Sequence, residues 1–269
     1  MTARGDGMSH RTDACRVCGH EAAFLFEGSL LGRRVAYFEC ARCRYVQTES
    51  PTWLEAAYAE AINRSDTGIL MRNERNARMV IRMLALLGAL HGRVVDCAGG
   101  YGLLVRMLRD RGVQALWQDR YCDNLVARGF EATDDTPADL VTAFEALEHF
   151  VDPPGELQRL FERAPNVLVS TDLIPTPAPR PGQWWYYAPE HGQHIGFYRV
   201  ETLRHIAVRF GRHLNTDGKS FHLFTAQPLP AWRWKLARRT SRLAPLIARA
   251  RLRTLVWQDH ARAAGRPAE

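Results

Sequence analysis

The chain has 269 residues, a 46% apolar share and a formal net charge of +7, which suits one sizeable core with a small appendage. Its most apolar run, Met79 to Leu90, is broken by Arg82 and too short to cross a bilayer. Residues 1–13 are polar and lack the apolar stretch of a signal peptide, so a disordered start and a cytoplasmic location are expected.

In chain order, residues 14–49 come first and read as a zinc ribbon. Cys15 and Cys18 form one C-x-x-C pair, and Cys40 and Cys43 a second. Short strand-like runs, 24–26 and 35–38, lie between them. In a reducing cytosol this spacing points to a tetrahedral Zn²⁺ rather than to disulfides. Four thiolates leave no open coordination position, so the metal is expected to staple a module too small to bury its own core.

Residues 50–90 read as helical, a linker or lid. Trp53, Ala57, Tyr58 and Ile62 recur at helical spacing, and residues 79–87 form a broader apolar helix closed by Gly88. Ser65-Asp66-Thr67-Gly68 is the turn between the two.

From residue 93 strands and helices alternate. Strands are predicted at 94–96, 115–119, 130–133, 140–144 and 166–171, with helices at 103–111, 124–128, 154–163 and 200–210. This repetition implies an α/β fold with a parallel, helix-covered sheet. Two last strands, 213–216 and 221–226, flank Asp217-Gly218, a hairpin signal.

The strongest motif is Asp96-Cys97-Ala98-Gly99-Gly100-Tyr101-Gly102. A strand ends in a carboxylate, and a turn of small residues opens a helix whose first amides are free. Asp119 ends the next strand, placed as the acidic ribose ligand of dinucleotide folds is placed. Tyr121 follows it, in position to cover a base. The strand 140–144 ends at Phe144-Glu145, and Glu148-His149 comes just after.

These motifs, in this order, resemble the D-x-G-x-G-x-G loop and later strand of class I methyltransferases, with Ala98 replacing the first glycine. The resemblance implies a Rossmann-like sheet over residues 91–228, mostly parallel with an antiparallel C-terminal hairpin. It implies S-adenosylmethionine held by Asp96, Ala98, Gly99, Gly100, Gly102, Asp119, Tyr121, Phe144 and Glu145. With the paired cysteines, Ser65–Gly68 and Glu190–His194, residues 15–225 look like bacterial zinc-knuckle methyltransferases associated with surface polysaccharides. They are similar, more distantly, to nucleotide-sugar methyltransferases.

After a proline-rich loop comes Trp184-Trp185-Tyr186-Tyr187-Ala188-Pro189-Glu190-His191, then His194 and Tyr198. Aromatic faces beside imidazoles suit a sugar-binding wall. His191 is expected as general base oriented by Glu190, with His149 a second candidate. Trp185, Tyr187, His194 and Tyr198 are expected to bind the acceptor. The plainer alternative is that the aromatics close a core and the histidines are structural.

Residues 229–269 form a basic tail. Ten Arg or Lys against two acidic residues give 231–269 a net of +8, leaving the rest of the chain at −1. Interleaved Trp232, Trp234, Leu236 and Trp257 suggest an interfacial amphipathic helix and peripheral contact with the inner membrane face. A solvated helix face or a homodimer contact is the alternative, and no nucleic-acid-binding motif accompanies the charge. The sequence therefore reads as a methyltransferase for a small glycan or nucleotide-linked sugar. The rivals are a natural-product or RNA methyltransferase, and a non-catalytic protein that keeps the fold.

Overall fold

A computed structural model describes residues 11–58, 66–239, 246 and 250–266. The expectations for residues 1–10, for Ile62 and Ser65 and for most of 240–249 lie outside the described residues. The chain divides into two compact units, each assembled from three stretches. One comprises 1–60, 145–158 and 170–222; the other comprises 61–144, 159–169 and 223–269. This division cuts across the consecutive blocks 14–49, 50–90, 91–228 and 229–269, because two later segments pack with the cysteine module.

The first unit contains a five-stranded sheet of β1 (Thr12–Ala14), β2 (Glu21–Leu30), β3 (Arg33–Cys40), β4 (Val46–Thr48) and β9 (Gly196–Phe197), in that order. Every neighbouring pair is antiparallel. Strands β2 and β3 are joined by Leu31-Gly32, with φ of 51° and 74°. Positive φ at both positions is what a two-residue hairpin turn needs to match strand twist. Leu31 accepts that conformation without a glycine, its amide donating to the Pro189 carbonyl at 2.9 Å. An apolar core underlies the sheet, in which Phe26, Tyr37, Trp53, Tyr186, Tyr187 and Phe197 are buried together. Tyr187 meets Phe26, Tyr37 and Phe197 edge to face, a favoured aromatic geometry. The short helix α1 (Leu54–Ala57) and helix α5 (Val200–Arg209) belong to the same unit.

The second unit begins with α2 (Ile69–Leu87), whose apolar face is buried. Gly88 ends it at φ 72°, its amide and that of Ala89 returning to Ala85 and Leu84, a glycine-terminated helix end. Strand β5 (Arg93–Cys97) then pairs in parallel with β6 (Gln114–Gln118) and β7 (Leu140–Phe144), with α3 (Leu103–Asp110) between β5 and β6. Helix α4 (Pro153–Arg163) leads to β8 (Asn166–Ser170). The chain's second sheet has six strands in the order β10-β11-β8-β7-β5-β6, its β10 (His213–Thr216) and the start of β11 (Phe221–Thr225) coming from the stretch 170–222. The four-residue link between β10 and β11 permits only an antiparallel hairpin. This is an α/β fold with a Rossmann-like mixed sheet.

Two predicted elements are absent. Residues 124–128 are not helical, because the Asn124 side chain accepts the Ala127 amide at 2.9 Å and offers the backbone a turn instead. The strand at 130–133 shrinks to one bridge, Trp117 with Glu131.

The described residues 252–263 of the tail are folded onto their own unit. Leu252 and Leu255 are buried, and the Leu255 amide donates to the Arg109 carbonyl at 3.1 Å. On α7 (Val256–Ala263), Asp259 takes two hydrogen bonds from the Arg109 guanidinium, at 2.6 and 2.8 Å, and one from Arg106 at 2.8 Å. Arg109 also stacks 3.6 Å from the Phe130 ring centroid. Burial pushes the Asp259 carboxyl up, but the two arginines outweigh it and hold it below its ordinary range. On α6 (Ala231–Arg239), Trp232 is exposed and Trp234 is buried. Among the described residues no helix is long and apolar enough to cross a membrane.

Candidate functional site

The glycine-rich loop of the second unit follows from local sterics. Ala98, Gly100 and Gly102 have φ of 67°, 53° and 86°, all in the left-handed region that favours glycine. A Cβ on Gly99 would stand 2.6 Å from the Trp117 ring, and one on Gly102 2.7 Å from Asn124 Oδ1. The Trp117 indole N–H donates to the Gly100 carbonyl at 2.8 Å, and the Gly99 amide to the Gln118 carbonyl at 3.1 Å. Strand β6 thus fixes the loop at the carboxyl end of β5, where open α/β sheets bind ligands.

Asp119 pins the same loop. Its Oδ2 accepts the Gly100 amide at 2.9 Å, and its Oδ1 accepts the amides of Tyr121 and Cys122 at 2.7 and 2.9 Å. A carboxylate offers about four lone-pair positions, so one remains, on Oδ2. Asp119 can take one further hydroxyl donor there without releasing the loop. Asp96 is buried, and the Thr142 hydroxyl donates to its Oδ1 at 2.5 Å. Burial pushes its carboxyl up to about 7, opposed by the Thr142 hydrogen bond and reinforced by the charge of Asp119.

The first unit holds a separate polar cluster just after β7. Glu145 adopts φ 49°, a strained value for a residue with a side chain. Ser170 Oγ secures it, accepting its amide at 2.9 Å and donating to its Oε1 at 2.5 Å. Glu148 is fully buried. Tyr186 donates its hydroxyl to Glu148 Oε1 at 2.7 Å, and among the described residues Glu148 Oε2 has no hydrogen-bond partner. His149 Nδ1 lies 2.9 Å from the Tyr58 hydroxyl. His194 Nδ1 is 2.7 Å from the Tyr186 carbonyl; a carbonyl only accepts, so Nδ1 carries the proton and Nε2 a lone pair. That Nε2 stands 4.0 Å from Glu148 Oε1. Burial, then the charge of Glu145, pushes Glu148 up to about 8. Burial holds His149 well below the imidazole range and lowers His194 to about 3. Near neutral pH both rings are therefore uncharged.

A family profile described as a methyltransferase domain matches residues 71–214, more than half of the chain. The chain belongs to the methyltransferase domain family. Among solved structures, this chain is similar to TnmH, at 18% identity over 66% of this chain and 62% of that one, TM-score 0.46. It is similar to an O-methyltransferase family protein from Burkholderia thailandensis, at 11% identity over 65% and 63%, TM-score 0.46. It is also similar to magnesium protoporphyrin IX methyltransferase (ChlM) from Synechocystis PCC 6803, solved with bound SAM, at 15% identity over 66% and 93%, TM-score 0.40. The chain spans less than two thirds of the first two proteins. No curated protein matches the sequence.

Within the chain, the residues expected from sequence fall in several places. Asp96, Ala98, Gly99, Gly100, Gly102 and Asp119 come together at the loop. Tyr121 is exposed beside it, and Phe144 ends β7. Tyr187 and Tyr198, expected in an acceptor wall, are buried. The Tyr187 hydroxyl donates to the Pro179 carbonyl at 2.7 Å, and that of Tyr198 to the Leu147 carbonyl at 2.9 Å. The turn at 185–187 sends Tyr186 and Tyr187 inward and leaves Trp185 72% exposed. The Gln193 amide donates to His191 Nδ1 at 3.1 Å, so a neutral His191 carries its proton on Nε2. Glu190 is exposed. Sequence reasoning missed Glu148, Tyr186 and Tyr58 as members of the cluster. The signal was present in the spacing of Glu145 and Glu148, one short turn apart.

The four paired cysteines come together in the first unit, their Sγ atoms all within 4.8 Å of one another. Cys15 lies 3.5 Å from Cys43, and Cys18 3.5 Å from Cys40. These are free thiols, far outside disulfide length. A tetrahedral zinc with bonds of about 2.3 Å sets its sulfurs about 3.8 Å apart, so the donor set and spacing fit the ion. The contact with Cys43 draws Cys15 down to about 5 and pushes Cys43 up, while burial pushes Cys18 up to about 11.

Proposed function

We propose that the protein catalyses S-adenosylmethionine-dependent methylation of a small glycan or nucleotide-linked sugar. The observation that carries the cofactor assignment is the glycine loop with Asp96 and Asp119 at the ends of adjacent parallel strands. Two carboxylates there suit a ligand that bears a sulfonium and an ammonium. The spare lone pair on Asp119 would accept one ribose hydroxyl, and Tyr121 would cover the base. When bound, the cofactor supplies an electrophilic methyl carbon. Everything else is alignment of the acceptor, and alignment can contribute several kcal/mol, roughly 7–11 in the best cases.

The acceptor is engaged, in this reading, by the cluster of Glu148, His149 and His194, with Glu145 beside it. His194 offers a lone pair at Nε2, whereas neutral His191 donates from Nε2. The base role expected of His191 with Glu190 is therefore weaker than a role for His194 with Glu148. A sugar acceptor is supported by the likeness to zinc-knuckle polysaccharide enzymes and by the exposed Trp185 indole, a surface on which a sugar face can pack. Zn²⁺ at the four cysteines would be structural, with no open position for chemistry.

Incubation of the full chain with S-adenosylmethionine and a panel of nucleotide sugars, glycans and phenolic natural products tests this, read by mass spectrometry. The expected product is a sugar heavier by one methylene. Methylation of phenols alone would replace the acceptor class and keep the enzyme. Absence of cofactor binding would remove the enzyme as well.

A further inference from the structure

We infer that Glu148, His149 and His194 form a second metal site, for a divalent cation with nitrogen and oxygen ligands, separate from the cysteine cluster. One ligand atom from each of the three side chains lies within 4.8 Å of the others. Two come from adjacent positions and the third from a distant stretch of the chain, so the fold assembles the group.

Three details favour a cation over an ordinary hydrogen-bonded network. Glu148 is completely buried, yet among the described residues its Oε2 has no hydrogen-bond partner. A carboxylate oxygen left unpaired in an interior is costly, and a cation would satisfy it. His194 Nε2 stands 4.0 Å from Glu148 Oε1, too far for a hydrogen bond. Two atoms each about 2.1 Å from one ion are separated by roughly 3–4 Å, and this pair falls in that range. Finally, the imidazoles are already oriented from behind. His194 Nδ1 is fixed by the Tyr186 carbonyl at 2.7 Å and His149 Nδ1 by the Tyr58 hydroxyl at 2.9 Å. Metal-ligating histidines are usually held this way by outer hydrogen bonds.

Two imidazoles and one carboxylate fill three positions and leave others open to water or to an acceptor oxygen, as in facial-triad sites. Such an ion would hold and polarise an acceptor hydroxyl. That role rests on the methyltransferase reading, but the presence of the ion does not.

The test uses full-length protein carrying one zinc per chain, without cofactor or acceptor, titrated with Mn²⁺. The thiolate cluster prefers zinc, and Mn²⁺ prefers nitrogen and oxygen donors, so this probe separates the two sites. Electron paramagnetic resonance of free Mn²⁺ should show one ion taken up per chain. Pulsed measurements on the bound ion should show modulation from imidazole nitrogen. Glu148→Gln and His194→Gln should each weaken uptake at least about tenfold, with circular dichroism confirming the fold. Should a variant unfold, the nitrogen modulation in the unaltered protein decides. No uptake at millimolar Mn²⁺, or uptake without nitrogen modulation, overturns the site. Because S-adenosylmethionine binding is measured separately, failure here leaves the methyltransferase reading intact.

Discussion

Asp119 and Glu148 are both carboxylates near strand ends, yet the protein surrounds them by different means. Asp119 accepts three backbone amides and is half-buried. Glu148 is fully buried, accepts the Tyr186 hydroxyl on Oε1 and, among the described residues, leaves Oε2 unpaired. The first holds a loop in shape and has little capacity left over. The second is under-satisfied, which is the condition of a group built to receive something. A satisfied carboxylate should matter to folding, and an unsatisfied one to function at some cost to folding.

Asp259 sets the upper end of that scale. It is buried against Arg109 and Arg106, and Asp259→Ala would strand the Arg109 charge in the interior. Breaking such a pair costs about 3–5 kcal/mol. Urea denaturation should show a loss of that size, and an unchanged midpoint would mean the tail is not fastened there. Since this carboxyl is depressed, its contribution is present above the unfolded value and fades as pH falls through the folded one.

Asp119→Ala orphans three loop amides. A loss of about 1–3 kcal/mol in stability is expected, with binding of S-adenosylhomocysteine weakened at least about a hundredfold, a change of some 2.7 kcal/mol. Calorimetry on the folded variant measures both, and intact affinity would break the contrast with Glu148.

Glu148→Gln should behave in the opposite sense. Turnover should fall about a hundredfold, while stability at pH 8 holds or rises by about 1 kcal/mol as a strained buried charge is removed. The sign of the pH dependence follows. The folded protein keeps the Glu148 proton up to about 8, whereas the unfolded chain releases it near 4.5. Stability therefore falls as pH rises across that window, and the variant should flatten the slope. Asp96, raised from 3.8 to about 7, adds a slope of the same sign that remains in the variant.

The smallest effect concerns Ala98. Its φ of 67° costs roughly 1–2 kcal/mol against glycine, and the extra freedom of an unfolded glycine returns about 0.4–1 of that. Ala98→Gly should raise the melting temperature slightly, and a clear drop would show that the alanine methyl is needed in the loop.

What the sequence revealed followed from how locally each feature is determined. The glycine loop and the cysteine pairs were readable because neighbouring residues dictate their backbone shape. Strands β5, β7 and β8 and helices α3, α4 and α5 were placed to within a residue or two for the same reason. The segment 184–198 was not readable. Aromatic residues in a row do not reveal which face turns inward, and the turn at 185–187 buries Tyr186 and Tyr187 while exposing Trp185. Glu148 acquires its environment from Tyr186, 38 positions away, and Arg109 meets Asp259 across 150. The division into two interleaved units depends on such long-range contacts, which no local stretch of sequence displays.

The central claim is that a sulfonium nucleoside binds at the loop between β5 and α3. Titration of zinc-replete full chain with S-adenosylmethionine and S-adenosylhomocysteine in a calorimeter tests it most directly. One equivalent of each should bind, and Asp119→Ala should abolish the heat. A flat titration with the unaltered protein, or equal heat from the variant, would contradict it.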